Sequence, residues 1–119
     1  MHSASALLLT EQWLTILSNL GRASATIKAY RSALTHFFAF CEIHDIAPER
    51  ASFEDIAGYI RPQLPDMPSS VASATLQLRL SALRLWYDFL VYQDICSLNP
   101  LPRSGLPGAI YTGRGLIPR

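Results

Sequence analysis

Residues 75–100 read TLQLRLSALRLWYDFLVYQDICSLNP. Leu76, Leu80, Leu83, Tyr87, Leu90 and Val91 recur at helical spacing, and Leu78, Ala82, Leu85 and Phe89 do so on nearly the opposite side. The pattern is one long helix, apolar nearly all round. A row of polar residues interrupts it, Gln77, Ser81, Arg84 and Asp88, spaced four, three and four apart, which sets them in line along the helix. Packing by neighbours on both sides accounts for the two apolar stripes, and so does a protein–protein contact on the second stripe. The polar row calls for a hydrated partner.

Further helices lie upstream. Residues 1–9 read as a flexible leader. Residues 10–20 form a first helix with Trp13, Leu14, Leu17 and Leu20 on one side, and Gly21 follows as its C-terminal stop. Ser24 offers an N-cap to a second helix ending near His44, with Ile27, Tyr30, Leu34, Phe37, Phe38 and Cys41 at helical period. Its other side carries Ala25, Lys28, Ala29, Ser32 and His36, small residues beside one cation, where another molecule can come close. Ser52 and Asp55 have the spacing of a capping box. They open a short third helix expected to bury Phe53, Ile56, Tyr59 and Ile60 and to end at Pro62. The fourth helix runs over residues 74–93 with Ser73 as cap. No strand pattern or repeat is present. From Asn99 the chain turns rich in Pro and Gly, as an extended linker does. The simplest architecture is a four-helix bundle with a C-terminal extension.

The chain has 119 residues, enough for one domain, and half of them are apolar. Net charge is only +1, but the charges are separated. No acid occurs over residues 12–41, which hold Arg22, Lys28 and Arg31, or over residues 67–87, which hold Arg79 and Arg84. The acids concentrate over residues 42–66. One basic face accounts for this separation, and so does scattered surface charge.

Cys41 and Cys96 lack metal spacing and are expected to be reduced, buried thiols. His2, His36 and His44 do not make a ligand set, no glycine-rich phosphate loop exists, and nothing near Tyr111 would activate it as a nucleophile. No cofactor, metal or small-molecule substrate is expected. The apolar run at residues 6–9 is too short for a signal peptide or a membrane span, so a cytoplasmic protein without a membrane partner is expected. A binding surface is the better reading. Arg22, Lys28, Arg31, Gln77, Ser81 and Arg84 are side-chain types that reach phosphates and base edges when a helix lies in a DNA groove. The spacing is equally met by an Arg84–Asp88 pair one turn apart and by solvated Lys28 and Arg31.

The run at residues 78–100, with LRLSALR, an aromatic pair, FLV and a closing Asn-Pro, resembles the last helices of the N-terminal core-binding domain of tyrosine recombinases, of the Xer and phage-integrase type. Thr26, Tyr30, Leu34, Phe37, Phe40 and Cys41 resemble that family's second helix, and Phe53, Asp55, Ile56 and Tyr59 its third. The likeness spans roughly residues 10–100, with 101–119 read as interdomain linker. It implies an all-α, SAM-like orthogonal bundle of four to five helices that clamps duplex DNA, beside neighbouring recombinase protomers. The parent would act in DNA integration or recombination. Strand transfer in that family belongs to a separate C-terminal domain with a tyrosine nucleophile, expected to be absent up to Arg119, so the chain is expected not to catalyse. Carried over by position, Thr26, Lys28 and Arg31 on the second helix and Arg79 and Arg84 on the fourth would face DNA, Arg79 from the edge of the packed side. With Arg22, about five cations on phosphates imply a slope of log K against log salt of about −4 to −5. The rival expectation is a helical module that self-associates without binding DNA.

Overall fold

The computed structural model describes residues 3–102, 114–115 and 117–118. Its body is four α-helices: α1 (Ser3–Asn19), α2 (Ser24–Ile43), α3 (Phe53–Ile60) and α4 (Ser73–Tyr92). Short 3-10 turns at Pro48–Arg50 and Arg61–Gln63 flank α3. Arg114–Gly115 and Ile117–Pro118 form two two-residue strands, too short to bury a face. The rest of the stretch read as linker, residues 103–113, 116 and 119, lies outside the described residues.

The core is where the helical periods put it. Leu76, Leu80, Leu83, Tyr87 and Leu90 of α4 are buried, together with Leu34, Phe37, Phe38 and Cys41 of α2 and Ile56, Tyr59 and Ile60 of α3. Aromatic edges join the helices: Phe38 meets Trp86 at 5.2 Å and Phe37 meets Tyr59 at 5.0 Å between ring centroids. Between α1 and α2, Trp13 stacks on Tyr30 at 5.7 Å. The hydroxyl of buried Tyr87 donates to the Pro48 carbonyl, fixing the 3-10 turn against α4. Both thiols are free. Burial pushes the Cys41 thiol up to about 12, so it stays protonated and packs as a small apolar group.

The helix ends follow local chemistry. Gly21 has φ +90°; its N–H donates to Ser18 O (3.0 Å), and that of Arg22 to Leu17 O (3.0 Å), a Schellman stop for α1. The same bonding ends α2 and α4, with Asp45 (φ 57°) and Asp94 (φ 61°) where glycine is usual. Ile46 and Ile95 then close the motifs through N–H bonds to Cys41 O (2.8 Å) and Leu90 O (2.9 Å). At α3 the capping box is complete: Ser52 Oγ accepts from Asp55 N–H and Asp55 Oδ2 from Ser52 N–H, both at 3.0 Å.

Four expectations are corrected. Helix α1 starts at Ser3, so residues 3–9 are helix and not leader; Ala6 is buried there, and Thr10 Oγ1 donates to its carbonyl (2.7 Å). Ser24 and Ser73 are first helical residues and not caps, because Ala23 and Ala72 take the extended cap conformation without a side-chain bond. Phe53 is 56% exposed, since the first residue of α3 points away from the core. The body also does not end at Pro100: Leu101 and Pro102 are buried against it. No helix among the described residues is long and apolar enough to cross a membrane.

Candidate nucleic-acid interface

Two open grooves share a wall at Lys28. One, of about 670 Å3 between α1 and α2, brings Arg22, Lys28 and Arg31 together beside Thr15 and Ser24. The other, of about 500 Å3 between α2 and α4, sets Lys28 and His36 opposite Arg79 and Thr75. Lys28 and Arg31 reach one groove because three residues advance about 300° round a helix, leaving them neighbours on adjacent turns. No carboxylate among the described residues lines either groove.

The cations are not equivalent. Arg31 grips Glu11 of α1 in two bonds, Nη2 to Oε1 (2.8 Å) and Nε to Oε2 (3.0 Å). Those hydrogen bonds hold Glu11 below the usual carboxylate range. Both side chains are about half exposed, so this pair orients Arg31 more than it stabilises the fold. Arg79 is held by a neutral group, its Nη1 donating to Gln63 Oε1 at 2.8 Å, so its full charge faces the groove. The ring of His36 lies 2.8 Å from the Tyr59 hydroxyl through Nδ1. Desolvation, and then the charge of Arg79, hold His36 below the ordinary histidine value.

The remaining sequence candidates lie elsewhere. Thr26 is half-buried and lines neither groove, being two residues, about 200°, round the helix from Lys28. Arg84 lies five residues, about 140°, round α4 from Arg79 and lines neither groove. Its guanidinium instead reaches the Pro102 carbonyl (3.4 Å), while Asn99 Nδ2 bonds both Arg84 O (2.9 Å) and Asp88 Oδ1 (2.8 Å). Two of the four residues of the polar row on α4 are therefore bonded by Asn99 and Pro102, Arg84 being half-exposed and Asp88 exposed; Gln77 is exposed and Ser81 half-exposed. Lys28 and Arg79 line one groove, which Arg84 does not line.

Three features of this site were not seen in the sequence: Glu11 as partner of Arg31, Gln63 as anchor of Arg79, and Tyr59 as partner of His36. Glu11 and Gln63 carried no signal, since each contact spans 16 residues or more. His36 did carry one, lying two turns from Lys28 on the same side of α2.

No curated protein and no solved structure matches the chain. A family model, that of the phage integrase N-terminal SAM-like domain, matches residues 10–94, from within α1 to just past α4. That domain is a non-catalytic part of integrases. With its all-helical body and its match over most of its length, the chain belongs to the phage integrase N-terminal SAM-like domain family.

Proposed function

We propose that the domain binds duplex DNA for a site-specific tyrosine recombinase of the Xer or phage-integrase type, through the surface shared by Arg22, Lys28, Arg31 and Arg79. The observation that carries this reading is the position of Lys28 on the wall between two grooves, each with a further arginine and no carboxylate in its lining. Glu11, paired with Arg31, is the carboxylate beside this surface, while six of the nine acids fall in residues 42–66, where Ser52 and Asp55 cap α3 beside Glu54. With a net charge of only +1, this separation, and not overall charge, must draw in a polyanion. Neighbouring protomers on the DNA are the second class of partner, and the cytoplasm, which keeps thiols such as Cys96 reduced, is the expected compartment.

Three to four phosphate contacts should give a slope of log K against log salt of about −3 to −4 on a mixed-sequence duplex. The steeper slope adds Arg84, which lines neither groove. Binding that ignores salt, or no binding at low salt, would remove the reading.

A second reading draws on the apolar residues around a third groove, where Leu8 and Ile16 of α1 are exposed beside Phe89 of α4. Self-association there without a DNA shift, measured by light scattering, would favour an interaction module.

A further inference from the structure

We propose that His36 completes a phosphodiester subsite in the groove between α2 and α4, acting with Lys28 and Arg79, and that it takes up a proton when the phosphate binds. This rests on the DNA-binding reading above and adds a residue and a proton linkage to it.

The groove is built for close approach. Its α2 side is floored by Ala25, Ala29, Ser32 and Ala33, none of which reaches far from the helix. Lys28, His36 and Arg79 stand at its rim.

Two of the three rim groups are fixed from behind by one polar chain. Arg79 donates to Gln63 Oε1 (2.8 Å), Gln63 Nε2 donates to the Tyr59 carbonyl (2.9 Å), and the Tyr59 hydroxyl meets His36 Nδ1 (2.8 Å). Gln63 and Tyr59 are buried, 6% and 3% exposed. A buried amide and phenol thus hold the two groups that face each other across the groove, so little side-chain entropy is left to lose when a ligand arrives. Arg79 spends one donor on Gln63 and keeps the rest of its fork. With Nδ1 engaged, Nε2 is the nitrogen left to His36 for a ligand. A phenol hydroxyl accepts as well as it donates, so the contact with Tyr59 survives protonation of the ring.

The charges around His36 explain why an anion would change its protonation. From α4 it meets Arg79, from α3 the neutral hydroxyl of Tyr59, and along its own helix Lys28 two turns away. In the free protein burial, and then the positive charge of Arg79, favour the neutral imidazole. A phosphate between the two reverses that balance and makes a charge-assisted bond from the imidazolium favourable. Each pKa unit by which the phosphate lifts His36 is a factor of ten in affinity at low pH.

The test measures affinity for a short mixed-sequence duplex between about pH 8 and about pH 5.5 at constant ionic strength, with the intact chain. The wild type should tighten by about tenfold over that range. His36→Gln, which cannot take a proton, should lose the tightening between the two pH values, whatever its affinity at the upper pH. Without mutation, the imidazole resonances of His36 should titrate at higher pH with duplex than without. Salt-sensitive binding that is equal across the pH range, tightening that persists in His36→Gln, or a ring titration the duplex leaves unmoved would each overturn the subsite while leaving DNA binding intact. No duplex binding at any pH would remove the underlying reading, and the subsite with it.

Discussion

Phe37→Ala should lower the free energy of unfolding by about 3–5 kcal/mol, measured by denaturant titration. Phe37 is fully buried at the meeting point of three helices. Its ring lies 5.0 Å from that of Tyr59, 6.3 Å from Tyr87 and 6.0 Å from Phe38, two of these contacts edge-on. Truncation removes the apolar transfer energy, these ring contacts and the support beneath the His36–Tyr59 bond, and leaves a cavity that rigid neighbours cannot fill. A domain of this size has about 5–15 kcal/mol in all, so a sizeable unfolded fraction at physiological temperature is expected. A loss under about 1 kcal/mol would mean that the core is packed differently.

The second large effect concerns binding. Lys28→Glu should weaken duplex binding by about thirty- to a hundredfold at low salt. The substitution removes one phosphate contact and sets a carboxylate on the wall between two grooves, where it repels phosphate on either side. Lys28 is exposed, so the melting temperature should change little. Arg50→Glu makes the same change in net charge at the acidic end, beside Glu49 and Ser52, and should cost much less. Equal losses from both would show that only net charge is being sensed and that the surface is wrongly placed.

The interior was legible because its signal is local. The period Leu76, Leu80, Leu83, Tyr87, Leu90 repeats on one side of a single helix, and any partner that buries it gives the same answer. The capping box at Ser52 and the stop at Gly21 also need no distant contact. Caps failed by one residue at Ser24 and Ser73, because serine was preferred over alanine although the backbone turned at Ala23 and Ala72. Over residues 3–9 the helical period is weak in the chain, because Leu7 and Leu8 are exposed while Ala6 and Thr10 are buried.

The site was half legible. Arg22, Lys28 and Arg31 are grouped by neighbouring turns and by an acid-free window, both visible in the chain. That Arg79 and not Arg84 lines the groove with Lys28 is not visible in the chain, and the residues that bond the polar row of α4, Asn99 and Pro102, lie 11 or more residues away. The helical projection set Arg79 at the packed edge, and that edge turned out to be the wall of the groove shared with Lys28.

Following backbone amide resonances while the duplex is added tests the central claim most directly. The account predicts shifts concentrated at Arg22, Lys28, Ser32, His36 and Arg79, with Arg50 and Phe53 unmoved. Shifts concentrated at the acidic end around Arg50 and Phe53, or along Leu85 and Phe89, would contradict it.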